Sequence, residues 1–99
     1  MFLIQNDFGI AIDLQVINQD CVAVDLTSAT TVQMEFVLPD GTVSLKTAAV
    51  IGLPTEGRIR YVVEEDFLVQ IGTWSVRGRV SEGTSKVYRT EKLKFAVLA

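Results

Sequence analysis

Histidine is absent from this 99-residue chain, and cysteine occurs once. A Ser-His-Asp triad, a Cys-His pair and a tetrahedral zinc site therefore lack their usual residues, and no disulfide can close within the chain. The same count excludes small secreted domains stapled by several disulfides. No stretch approaches the roughly 18 consecutive apolar residues that cross a bilayer, so no membrane partner is expected. Positive charge is also scarce: nine Lys and Arg stand against twelve Asp and Glu, giving a net charge of −3. The basic residues come singly or in pairs rather than in a run, and such a chain repels a phosphate backbone. No nucleic acid is expected as a partner. Met1-Phe2-Leu3-Ile4 is apolar but meets Gln5-Asn6-Asp7 at once, with neither a basic start nor a small-residue cleavage site. That reads against a signal peptide and points to folding in a cytoplasm.

What is present is alternation. Val32, Met34, Phe36 and Leu38 fall two apart and end at Pro39-Asp40-Gly41, and spacing of two is strand spacing. The pattern recurs in Ile10, Ile12, Leu14 and Val16, in Ile59, Tyr61 and Val63, in Trp74, Val76 and Val80, and in Leu93, Phe95 and Val97. Strands are expected near 9–17, 21–26, 31–38, 42–50, 57–63, 72–81, 86–90 and 92–98, punctuated by turn residues as in a sandwich or barrel. Pro39-Asp40-Gly41 and Glu82-Gly83-Thr84-Ser85 read as hairpin turns. Only residues 64–70 depart from alternation, and their acidic lead suits one helical turn joining two sheets. Apolar residues make up 48% of the chain and charged residues 21%, the proportions of an ordinary folded domain. With no repeat, linker or low-complexity tract, residues 1–99 read as a single domain.

Each chemically suggestive group has a plainer reading beside it. Glu64, Glu65 and Asp66 do not match the spacing of a calcium loop, and they read as a solvated acidic turn; no metal and no cofactor is expected. Cys21 begins an apolar run beside Asp20, where a thiol behaves as a small buried hydrophobe rather than a nucleophile. Trp74 shares a face with Val76 and Val80, so it reads as core rather than as a ligand platform. Together with Phe36, Val76, Phe95, Tyr61 and Leu14 it is expected inside. Arg58, Arg60, Arg77 and Arg79 alternate with apolar residues and should face outward, paired across strands with Asp and Glu. Met1, Phe2, Leu3 and Ile4 must either dock on their own sheet or find a partner, and they are the candidate partner contact.

Read in order, Gln5-Asn6-Asp7-Phe8-Gly9-Ile10, Val24-Asp25-Leu26-Thr27-Ser28-Ala29, Phe36-Val37-Leu38-Pro39-Asp40-Gly41-Thr42, Gly57 with Tyr61, Gly72-Thr73-Trp74 and Phe95-Ala96-Val97 span almost the whole chain. This series resembles the immunoglobulin-like N-terminal domain of the phage baseplate upper protein. The resemblance implies an all-β, immunoglobulin-like antiparallel sandwich of seven or eight strands with at most one short helical turn. It further implies a non-enzymatic structural protein of a tailed phage, in the baseplate, tail or head-tail region, acting as an assembly or adaptor module. Other virion proteins would be its partners, in a homo-oligomer or a mixed complex assembled in the host cytoplasm. Because the chain ends at Ala99, directly after the last expected strand, the helical linker and receptor-binding region of longer relatives are not expected. A carbohydrate-binding or adhesin-like sandwich is the alternative, and it would require exposed aromatics on one face.

Overall fold

A computed structural model of the chain describes residues 2–18, 20, 22–84, 86–90 and 92–99. The expectations for Met1 and Cys21 lie outside the described residues. Alternation becomes strands: β1 (Phe2–Ile4), β2 (Ala11–Gln15), β3 (Thr31–Val37), β4 (Val43–Thr47), β5 (Ala49–Val50), β6 (Arg58–Val62), β7 (Gly72–Glu82), β8 (Lys86–Arg89) and β9 (Leu93–Leu98). They form two sheets, β1-β9-β7-β3-β4 with β8 also on β7, and β2-β6-β5. The inner faces of both sheets contribute to one apolar cluster, so the architecture is a sandwich. The strand pairs are antiparallel except β1–β9, which is parallel. Parallel neighbours need a long crossover, and β1 and β9 sit near opposite ends of the sequence, so the whole fold serves as that connection.

The expected faces turn inward. Met34, Phe36, Ile59, Tyr61, Val63, Trp74, Val76, Val80, Phe95 and Val97 are buried, whereas Leu14 is only half-buried and Leu93 remains 38% exposed. The aromatic rings form a chain through the middle: Tyr61 to Phe36 at 5.5 Å, Phe36 to Phe67 at 4.9 Å, Phe67 to Trp74 at 5.4 Å, and Trp74 to Phe95 at 6.0 Å between centroids. Trp74 Nε1 donates to the Gln70 carbonyl at 2.9 Å, which satisfies its polar edge inside the core.

Three local expectations are corrected. Residues 64–70 hold no helical turn; Asp66 adopts φ 64°, which ends any helix there, and Phe67 and Leu68 fold into the core. Among the described residues, the one turn of 3-10 helix lies at Pro54–Glu56, where proline is favoured at the first position. The stretch 42–50 is two strands, because the chain leaves the larger sheet after β4 and joins the smaller at β5, with buried Ala48 donating to Val32 at the crossing. The strand expected at 21–26 is reduced to a bridge between Ile17 and Ala23, with Val24 N–H donating to the Val16 carbonyl. Gly57 lets this strap lie flat: its φ is 67°, and a Cβ there would stand 2.7 Å from the Val16 oxygen and 3.0 Å from that of Val24.

β7 is long enough to carry β8 and β9 on the same edge. Its register advances by one residue between the Arg79–Arg89 pair and the Val76–Leu93 pair, which is a bulge beside Thr90. Thr90 N–H donates to the Gly78 carbonyl and Thr90 Oγ1 accepts from Gly78 N–H at 2.8 Å.

Candidate functional site

The N-terminal segment is both docked and displayed. As β1, it places Leu3 among the core residues and leaves Phe2 62% and Ile4 37% exposed on the outer face. Ile4 stands beside Leu98 in register, and Leu98 is itself exposed. Gln5 anchors the segment, its N–H donating to the Leu98 carbonyl at 2.6 Å and its Nε2 to the Val69 carbonyl at 2.9 Å. Thus Leu3 serves the chain's own sandwich while Phe2 and Ile4 remain outside it. Leu98 was missed as a companion because it follows Val97 at the close of β9, and only the parallel pairing brings it beside Ile4.

The two ends of the larger sheet are guarded differently. On edge strand β4, Lys46 points inward, its Nζ 5.0 Å from the Phe67 ring centroid and 3.8 Å from Glu64. An inward-pointing charge of this kind deters edge-to-edge pairing. On β1, Phe2-Leu3-Ile4 carries no charge and no proline.

Arg58, Arg60 and Arg77 form structural surface ion pairs, whereas Arg79 donates to the Gln33 amide instead of an acid. Arg60 grips Asp13 through Nε at 2.7 Å and Nη2 at 2.9 Å, and this hydrogen bond holds the Asp13 carboxyl below its ordinary value. Arg77 donates to Glu35 at 2.9 Å, and Arg58 to Glu56 at 2.8 Å. The Glu35 carboxyl is likewise held low, first by the Arg77 hydrogen bond and then by the charges of Arg77, Arg89 and Lys92. Glu64, Glu65 and Asp66 are exposed, and among the described residues no group of His, Cys, Asp and Glu could hold a metal ion. An open groove of about 360 Å³ runs between β2 and the bulge, lined by Asp13, Leu14, Gln15, Ile17, Thr90, Lys92 and Leu93. Its acid is already engaged by Arg60, and no nucleophile and base converge in it. Trp74, fully buried, is unavailable for stacking on a sugar.

The geometry is that of a β-sandwich, and comparison with known proteins agrees on the fold. No curated protein matches the chain. Among solved structures, CopC from Methylosinus trichosporium OB3b superposes with a TM-score of 0.55 at 11% identity, covering 98% of this chain and 83% of that one. At that identity the likeness concerns the fold alone. A family profile, the BppU N-terminal domain, matches residues 5–99. The chain thus belongs to the BppU N-terminal domain family, that of the phage baseplate upper protein, which points to a structural role in a phage particle.

Proposed function

We propose that residues 1–99 act as one non-enzymatic building block of a tailed-phage baseplate or adjoining tail region, working by association with other virion proteins. The contact surface is the outer face at β1, with Phe2 and Ile4 at its centre and Leu3 anchoring the strand from behind. One observation carries this reading: β1 is an uncharged edge strand that keeps two large apolar side chains outside the core. Such an edge is either guarded or completed by a neighbour, and the guard seen on β4 has no counterpart in its sequence. A neighbour that covers Phe2 and Ile4 gains roughly 25 cal/mol per Å² of apolar surface removed from water.

Light scattering on the purified chain, alone and mixed with baseplate and tail proteins, tests the proposal. The parent is expected to form a defined complex, and Phe2→Ser/Ile4→Ser, which keeps Leu3 and the β1 anchor, is expected to lose it. A parent that ignores every virion protein, or a double variant that assembles as well as the parent, overturns the reading. Retention of a defined sugar on a glycan array by a chain that stays monomeric would instead support a binding module.

A further inference from the structure

Alternation scatters Lys and Arg along the sequence, but strand pairing collects them. Arg77 and Arg79 alternate with the core positions Val76, Gly78 and Val80 and so face outward on β7. Arg89 stands directly opposite Arg79, and Lys94 directly opposite Ser75, both on that same outer face. Lys92 lies near enough to add its charge to those acting on Glu35. Glu35, engaged by Arg77, is the one acid that the described residues place among these five cations. Among the described residues, Arg79 donates to the neutral amide of Gln33, at 3.2 Å. Like charges directly opposite in an antiparallel pair destabilise it, so the Arg79–Arg89 pair is a local cost, and the described residues place no acid in a salt bridge with either arginine.

The complementary charge lies at one end of the same sandwich. Asp7, Asp40, Glu64, Glu65 and Asp66 occupy the β1–β2, β3–β4 and β6–β7 loops, and all five are exposed. Those loops are tied into one cluster by Gln70 Nε2 donating to Asp40 at 3.0 Å, Asn6 N–H to the Leu68 carbonyl, and Gly9 N–H to the Val63 carbonyl. Lys46 is the cation that the described residues place there, 3.8 Å from Glu64. The described residues thus place a basic cluster on one sheet face and an acidic cluster at one end of the same sandwich.

We propose that these are the two halves of a head-to-tail contact between copies of this chain, the acidic end loops of one copy docking on the basic outer face of the next. The proposal rests on the association reading above but uses a different surface from β1. A contact between unlike patches is heterologous; it generates a ring when the rotation closes and a filament when it does not. A second copy fits better than a nucleic acid because the whole-chain field repels a polyanion, whereas the acidic end of a copy brings only a local charge.

Sedimentation velocity at 50 and 500 mM NaCl reads the contact. The parent should self-associate at low salt and dissociate at high salt. Arg79→Glu/Arg89→Glu and Glu64→Lys/Glu65→Lys should each raise the dissociation concentration at least tenfold while keeping the parent's far-UV circular dichroism. Mixed in equal amounts they should associate again, since each then supplies what the other's reversed surface needs. A parent that stays monomeric at low salt, reversals that leave association unchanged, or a mixture that fails to recover overturns the proposal. Gel-shift binding of a labelled 30-mer DNA by the parent, lost in Arg79→Glu/Arg89→Glu, also overturns it and makes the face a phosphate reader. If Phe2→Ser/Ile4→Ser abolishes assembly while the charge reversals do not, this inference fails and the association reading stands.

Discussion

Gly78 on β7 is closely faced by Ile59 of the other sheet and by Thr90 at the bulge, and Gly78→Ala tests whether the bulge and the core are packed as described. Its position needs no unusual backbone; what excludes a side chain is proximity. A Cβ on Gly78 would lie 2.8 Å from Ile59 Cδ1 and 3.0 Å from Thr90 Cγ2, both inside ordinary contact distance. Ile59 is fully buried, so its terminal methyl has little room to swing away. Overpacking of this kind costs about 1–3 kcal/mol. Gly→Ala also removes freedom from the unfolded chain, which returns about 0.4–1 kcal/mol. The net loss should therefore be about 1–2 kcal/mol, or a fall in Tm of about 5–15 °C for a domain of this size. The source of the strain is checkable, because Ile59→Val deletes the Cδ1 atom. Alone it should cost about 0.5–1.5 kcal/mol. Combined with Gly78→Ala it should be less damaging than the sum by at least about 0.5 kcal/mol, a coupling that urea denaturation followed by circular dichroism resolves. A Gly78→Ala protein as stable as the parent, or a strictly additive double variant, would refute this account of the interface.

Trp74→Ala should cost about 3–5 kcal/mol, because it empties the centre of the aromatic chain between Phe67 and Phe95. A urea transition displaced by less than about 1 kcal/mol would place Trp74 outside the packed core. Arg77 holds the Glu35 carboxyl below its ordinary value, so the folded state binds fewer protons than the unfolded one in the acid range. The stability this contributes is present above the ordinary carboxylate pKa and is lost as pH falls toward the lower folded value. Glu35→Gln should flatten the acid limb of a stability-against-pH curve and cost no more than about 1 kcal/mol at neutral pH, since the pair is partly solvated. An unchanged acid limb would show that the pair is not maintained in solution.

Face assignment was legible in the sequence because burial follows strand parity. Ile59, Tyr61 and Val63 alternate with Arg60 and Val62, and the structure buries the first set and exposes the second. Both hairpin turns were readable for the same local reason, since Pro39-Asp40-Gly41 offers the torsions a tight reversal needs. Events that depend on distant partners were not. Nothing in the alternation of 42–50 says that the chain changes sheets at Ala48. The acidic lead of 64–66 imitates a helix start, yet Phe67 and Leu68 are adjacent and both must turn inward, which a regular turn cannot arrange against this core. The parallel seat of β1 on β9 joins residues more than ninety positions apart, as Phe2 with Ala96.

The charged face was hidden for a related reason. A basic run is sought among sequence neighbours, but in a sheet the neighbours of Arg79 are Gln33 and Arg89, fixed by register rather than by adjacency. Outward positions are where strands put their charges, so two well-patterned strands can each carry isolated cations and still juxtapose them. Which cations meet depends on parity, and here the bulge at Thr90 sets it. Carried on without the one-residue advance, the β8 register would place Lys94 opposite Trp74 and turn Phe95 and Val97 outward. With the advance, Phe95 and Val97 enter the core and Lys94 joins the outer face beside Ser75. The hydrogen bonds between Thr90 and Gly78 hold that advance in place, so the same local device that completes the apolar core also assembles the basic face.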